Sequence, residues 1–164
     1  MAENSILYPG TFDPITHGHI DLIKRASALF GRVVVAIAAN PLKTPLFTLP
    51  ERLHLVELVC RDIPHVQITG FDCLLTDFAQ QQGIRMVMRG LRAVSDFEFE
   101  FQLANMNRRM KPDLETLFLT PDEKHTYVSS SLVREIARYG GNVSPFVPAA
   151  VVTALQQKFP KTEK

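Results

Sequence analysis

Ser5-Ile6-Leu7-Tyr8-Pro9-Gly10-Thr11-Phe12-Asp13-Pro14-Ile15-Thr16-His17-Gly18-His19 is the stretch whose reading decides the rest of the chain. Ser5 to Tyr8 is a short apolar run closed by Pro9-Gly10, the pattern of a buried strand. Gly18 to Phe30 carries Leu22, Ile23, Ala26, Leu29 and Phe30 on one face of a helix, and Gly31 stops it. Arg32 to Ala39 is a second, valine-rich strand. A strand, a helix and a strand with connections this short form a βαβ unit, whose strands lie parallel.

The same alternation continues. Asn40 to Phe47 is a polar, proline-marked loop. Thr48-Leu49-Pro50-Glu51 has a capping-box pattern and opens a helix reaching about Cys60. His65 to Thr69 reads as a strand, Leu74 to Gln82 as a helix stopped by Gly83, and Ile84 to Met88 as a strand. Ser95 to Arg109 is a long helix with a second capping box in Ser95 and Glu98. Leu114 to Leu119 is the fifth strand. Ser129 to Tyr139 is a helix stopped by Gly140-Gly141, Val147 to Lys158 is the last helix, and Pro160 to Lys164 is a polar tail. The expected architecture is α/β: a Rossmann-like, doubly wound five-stranded parallel sheet with helices on both faces. No repeat, low-complexity run or linker divides the chain, so residues 1–164 are read as one domain.

Composition narrows the function classes. Of 164 residues, 46% are hydrophobic, and 18 Lys+Arg against 17 Asp+Glu leave a net charge of +1. That balance argues against a general nucleic-acid binder, which carries a basic excess. A spanning helix needs about 20 mostly apolar residues, and no such run exists. Met1-Ala2-Glu3-Asn4 does not begin a signal peptide. Cys60 and Cys73 fall in no CxxC or Cys/His spacing and read as two reduced thiols. The expectation is a cytoplasmic protein with neither membrane nor nucleic acid as partner.

Folds of this class bind ligands beyond the carboxyl ends of their strands. After the first strand, Thr11, His17 and His19 meet the start of a helix, whose free N–H groups and positive dipole end favour anions. Gly18 allows a phosphate close to the backbone. There is no GxGxxG fingerprint and no Walker A motif. Lys43 follows the second strand, and Arg89-Gly90-Leu91-Arg92 follows the fourth. Ser129-Ser130-Ser131 sits at a helix start beyond the fifth. Each has an ordinary explanation as surface charge or helix cap. Together, at one edge of one sheet, Thr11, His19, Lys43, Arg89, Arg92 and the serines predict a polyphosphate pocket. His54, His65 and His125 have no partner by spacing, and Asp13, directly before Pro14, is read as shaping a turn. Cations and hydroxyls without a nucleophile suit direct phosphoryl or nucleotidyl transfer.

Thr16-His17-Gly18-His19 matches the (H/T)xGH signature of the nucleotidyltransferase superfamily. Val128 to Arg134 resembles its ISSTxxR-like signature. Tyr8 to Pro14 and Arg89-Gly90-Leu91-Arg92-Ala93-Val94-Ser95-Asp96-Phe97-Glu98 resemble, more narrowly, the bacterial phosphopantetheine adenylyltransferases, over Ile6 to about Leu155. That resemblance implies transfer of AMP from ATP, with Mg²⁺, to 4'-phosphopantetheine, the penultimate step of coenzyme A synthesis, by in-line attack. It implies that His19 stabilises the α-phosphate, Thr11 orients the attacking phosphate, and Lys43 and Arg89 bind the anionic reactants. Phe12, Gly90, Leu91, Arg92, Glu100 and His125, Thr126, Tyr127, Val128, Ser129, Ser130 and Ser131 would line the ATP site, with Leu75 against the pantetheine arm. It further implies a homohexamer and feedback inhibition by coenzyme A. Protein ligands for Mg²⁺ are not indicated, as that ion is mostly held by phosphates and water. The chain departs from the family at His17, at Phe99 where Tyr is common, and at His125-Thr126-Tyr127, which replaces a Trp-containing stretch. Three other readings are set against this one: a superfamily member with a nicotinamide or glycerol phosphate acceptor, against which the Arg89 to Glu98 block argues; a silent nucleotide-binding protein, against which Thr11, His19, Lys43 and Arg89 together argue; and an RNA-binding fragment related to synthetases, which conflicts with the net charge of +1.

Overall fold

The computed structural model describes residues 4–160. Its strands are β1 (Ser5–Gly10), β2 (Arg32–Ala38), β3 (Val66–Phe71), β4 (Met86–Gly90) and β5 (Glu115–Leu119). They pair in the order β3-β2-β1-β4-β5, and every pairing is parallel. The valine run of β2 is buried along its length because helices cover both sides, which is why it reads as continuous rather than alternating apolar sequence.

The pleat sends alternate residues to two cores. Ile6, Tyr8, Val33, Val35, Ile37 and Met88 join the larger one. It is filled by α1 (His17–Leu29), α2 (Leu49–Cys60), α5 (Ser130–Arg138) and α6 (Ala149–Lys158). Leu7, Val34, Ala36 and Val87 face the smaller core, with Phe78 and Ala79 of α3 (Leu75–Gln81). The helix α4 (Val94–Met110) lies over that same side, where Phe97 meets Phe118 of β5 edge-on with ring centroids 6.0 Å apart. The doubly wound sheet expected from the alternating pattern is therefore the fold observed.

The strand order reverses between β1 and β4. From β1 the chain winds outward through β2 to β3, and then crosses to the other side for β4 and β5. Consecutive connections leave this point in opposite directions, so a crevice opens at the carboxyl ends of β1 and β4.

Several boundaries differ from the sequence reading. The strand β1 continues through Pro9 to Gly10, in register with Ala36 and Ile37. The strands β3 and β4 extend to Phe71 and Gly90. The box expected from Ser95 and Glu98 does not start α4. Instead the Asp96 carboxylate accepts from the N–H groups of Arg92 and Ala93, both at 3.3 Å, and the helix begins at Val94. The Thr48 and Glu51 box does form: Thr48 N–H donates to Glu51 Oε2 at 2.8 Å, and Glu51 N–H to Thr48 Oγ1 at 3.4 Å. The polar tail lies outside the described residues from 161 onward. Among the described residues no helix is long and apolar enough to cross a membrane.

Ile23 of α1 is 0% exposed in the larger core. Truncation to Ala removes three carbons where the neighbours cannot fully collapse, so Ile23→Ala is expected to cost about 2–5 kcal/mol. A lowered urea midpoint at constant m-value is the measurement that checks this.

Candidate active site

The end of β1 sets the site. Phe12 sits in the left-handed region at φ 48° although it is not a glycine, and its ring is buried edge-on to Tyr8, centroids 5.3 Å apart. Such a conformation costs of order 1–3 kcal/mol and persists only where the surroundings over-determine it. Gly10 is part of the fit: a Cβ there would stand 2.8 Å from Phe12 Cε2.

Four residues on, Thr16 caps α1. Its N–H donates to His19 Nδ1 at 3.0 Å, while the His19 N–H donates to Thr16 Oγ1 at 3.4 Å. His19 thus stands where a capping box normally has Glu or Gln. Because Nδ1 accepts from a backbone N–H, the ring proton is assigned to Nε2. Burial, and after it the Arg92 charge, push the His19 pKa down to about 4. At neutral pH the ring is an uncharged donor, held 4.9 Å from the Phe12 ring.

Thr11 is fixed from β2. Asn40, at φ 49°, donates from Nδ2 to Thr11 Oγ1 at 2.9 Å, leaving the hydroxyl proton for another acceptor. Lys43 follows on an exposed 3₁₀ turn, Pro41–Lys43. Asp13 does more than shape its turn: its buried carboxylate accepts from the N–H groups of Leu46 and Phe47, both at 2.9 Å, and lies 3.6 Å from Arg134.

At the end of β4, Arg89 forks onto Glu100, Nε to Oε2 at 2.8 Å and Nη2 to Oε1 at 2.7 Å, and donates from Nη1 to the Pro9 carbonyl. Much of its charge is therefore already answered inside the protein. Gly90 is required by close packing, since a Cβ would stand 2.7 Å from Leu22 Cδ1. Arg92 donates to the Val128 carbonyl at 3.1 Å. Ser129 caps α5, accepting from Leu132 N–H at 3.2 Å. Ser130 donates to the Pro14 carbonyl at 2.8 Å, and Arg134 donates to Ser131 Oγ at 3.3 Å.

These groups enclose one cleft of about 370 Å³ at the reversal point of the sheet. A family model for cytidylyltransferase-like proteins matches residues 7–136, which include the carboxyl ends of both strands that frame it. The chain belongs to the cytidylyltransferase-like family. Solved structures resemble this family member at low sequence identity. A candidate nicotinate-nucleotide adenylyltransferase from Vibrio parahaemolyticus superposes with a TM-score of 0.70 at 17% identity, covering 98% of this chain and 97% of that one. The nicotinic acid mononucleotide adenylyltransferase of Plasmodium falciparum complexed with NaAD gives 0.69 at 14%, covering 96% of both chains. The membership makes this a nucleotidyltransferase of the superfamily that the (H/T)xGH signature indicates.

The cytidylyltransferase-like cleft brings together most of the residues singled out by sequence. Thr11, Phe12, His19, Lys43, Arg89, Gly90, Arg92, Glu100, His125, Val128 and the three serines all line it. Four do not. Leu75 begins α3 and packs against the smaller core, outside the cleft's lining. Leu91 donates its N–H to the Leu119 carbonyl and so prolongs the β4–β5 pairing. Thr126 turns its hydroxyl to the Glu123 carbonyl, and exposed Tyr127 packs edge-on to Phe146. Asp13, Thr16 and Arg134 line the cleft but were not selected from sequence, nor was Arg52 behind it. Glu at the third position of Thr48's box was a visible signal; His in that role at Thr16 was not.

Chemically, the cleft offers donors. The N-termini of α1 and α5, the Thr11 hydroxyl, neutral His19 and the charges of Lys43, Arg92 and Arg134 all face one volume. It does not fit a resident Mg²⁺. The carboxylates of Asp13 and Glu100 are both taken up by protein donors, and no cluster of three His, Cys, Asp or Glu side chains occurs among the described residues.

His19 is expected to titrate near pH 4 rather than near its ordinary value of 6.5. The unfolded chain then binds the extra proton between those values, so stability falls as pH drops from about 6.5 toward 4. NMR of the His19 ring protons checks it; a midpoint above pH 6 would refute the neutral ring.

Proposed function

We propose that this protein is an adenylyltransferase that joins the AMP of ATP to 4'-phosphopantetheine, yielding dephospho-coenzyme A and pyrophosphate. Family membership supports nucleotidyl transfer, and the Arg89 to Glu98 block supports this acceptor. The observation that carries the chemistry is the pairing of two donors with assigned directions in one cleft: His19 Nε2–H and the Thr11 hydroxyl.

An acceptor phosphate oxygen attacks the α-phosphorus of ATP. The bond from that phosphorus to the bridging oxygen breaks on the far side, and pyrophosphate leaves with the electron pair. No covalent enzyme intermediate forms. Thr11 donates to the incoming phosphate and Lys43 offsets its charge. His19 donates to an α-phosphate oxygen, where negative charge is concentrated as the transition state forms. A neutral donor suits this role, since it gives up no proton at the operating pH. The N-terminus of α5, with Ser130 and Ser131, faces the leaving pyrophosphate. Mg²⁺ accompanies the phosphates of ATP, because the protein's own carboxylates are engaged.

The same reading makes coenzyme A, which shares the acceptor's pantetheine arm, an inhibitor of this cleft. A homohexameric assembly belongs to it as well. The surface of α4 supports self-association: Phe99 is 64% and Met106 63% exposed, with Phe101 and Met110 also outward. The second acceptor to test is nicotinate mononucleotide, the nucleotide for which the superposable adenylyltransferases are named.

Pyrophosphate release from ATP and Mg²⁺ is expected to depend on phosphopantetheine, with dephospho-coenzyme A identified by mass. Release only with nicotinate mononucleotide would transfer the proposal to that acceptor. In the active system, His19→Ala is expected to lower kcat by about 10²–10³, the loss typical of an oxyanion-type donor. ATP affinity by titration should stay near wild type, because the contact strengthens in the transition state. An unchanged kcat removes His19 from the mechanism.

A further inference from the structure

We infer that Arg52 is a positioning residue for the acceptor half of the cleft: its buried guanidinium gathers the backbone carbonyls that hold Thr11 and Asn40 in register with each other. The inference rests on the transfer reaction proposed above. Arg52 lies on α2, behind the cleft and outside its lining, and is 1% exposed. None of its hydrogen-bond partners is a carboxylate. Nε donates to the Phe47 carbonyl at 3.0 Å, Nη1 to those of Thr11 at 2.8 Å and Ala38 at 2.7 Å, and Nη2 to that of Ala39 at 3.0 Å.

The choice of carbonyls is informative. Thr11 and Ala39 immediately precede Phe12 and Asn40, which both take left-handed backbone, at φ 48° and 49°. The left-handed turn after each carbonyl directs the chain away from its strand, and Arg52 holds the peptide just before each turn. The two peptides so fixed carry Thr11 and lead into Asn40, whose side chains hydrogen-bond at 2.9 Å. A third partner, Phe47, closes the far end of the loop that bears Lys43. One planar fork thus sets three segments of the acceptor side. None of these hydrogen bonds reaches α1's Thr16–His19 box or the serines of α5. Lysine cannot reproduce this, because an ammonium is a point donor without the planar, widely spaced N–H array.

Arg52→Lys is compared with wild type in the pyrophosphate assay, after circular dichroism confirms folding. Expected is a fall in kcat of about 10–100-fold, as for reacting groups displaced by about an ångström. The phosphopantetheine KM rises, while the ATP KM stays within about twofold because the nucleotide-side donors are untouched. Asn40→Gly keeps the left-handed backbone but removes the bond to Thr11, so it is expected to act on the same step. The double variant should be no worse than the poorer single variant. A purely structural arginine would give additive losses and would shift both KM values. Additivity, equal KM shifts or wild-type turnover in a folded variant each overturn the inference. Should Arg52→Lys not fold, Arg52→Gln replaces it, and failure of both assigns the residue to folding alone. If wild type itself shows no acceptor-dependent release, the proposed function has failed instead. Hydrogen exchange then reads Arg52 without turnover: faster exchange at residues 11–13 and 38–47 but not at 129–134 supports it, and uniform or absent change refutes it.

Discussion

The capping of α1 by Thr16 is the interaction on which the site depends. One reciprocal pair of bonds starts the helix, and the same pair decides where the ring proton of His19 resides. A helix start needs an acceptor for the N–H of its cap residue. Here the acceptor is Nδ1, so forming α1 and orienting the donor toward the cleft are a single event. Glu or Gln would satisfy the helix equally well and leave the cleft without a neutral ring N–H. The fold therefore does not place His19 and then tune it: local backbone hydrogen bonding sets the tautomer, and burial beside the Arg92 charge keeps the ring uncharged.

Around that donor, the protein answers some charges internally and leaves others open. Arg52 is neutralised by backbone dipoles, Asp13 by two N–H groups and Arg134, and Arg89 by Glu100. Arg52 and Asp13 are buried and Arg89 is half-buried, where an unpaired charge would be costly. Lys43 has no such partner among the described residues and is exposed on its turn. The result reconciles a near-neutral chain with an anion-binding cleft. Net charge counts every residue, whereas a phosphate meets the local excess left after buried pairs have cancelled.

The periodicity of the strands and helices made the sheet legible, because a parallel sheet covered on both sides forces continuous apolar runs and one-faced helices. The fourth strand showed that signal only up to Met88; Arg89 and Gly90 extend it because the ladder with β5 continues past the apolar run. Site residues were legible where a βα connection delivers them directly, as with Thr11, His19, Arg89 and the serines. Arg52 was not, since an arginine on an amphipathic helix reads as solvated unless the carbonyls that converge on it are known. Asp13 was missed for a related reason: its partners lie more than thirty residues away, at Leu46 and Phe47. Leu75 stands outside the cleft's lining because α3 packs on the smaller core, and a sequence pattern does not say which core a short helix faces.

The Arg89 to Glu98 block has architectural duties that explain the unusual helix following it. Arg89 ties β4 to the Pro9 carbonyl of β1 and to Glu100 of α4, and the Asp96 carboxylate caps the helix start. The helix is thus fastened at its cleft end by polar bonds, and the only residues it buries are Glu100 and Asn107. Phe99, Phe101, Met106 and Met110 are left outward, unlike the apolar face of an ordinary amphipathic helix. Glu100, which orients Arg89 at the cleft, and the apolar outer face belong to one rigid element. A load placed on that face would bear on the helix that carries Glu100, and through Glu100 on Arg89 at the cleft.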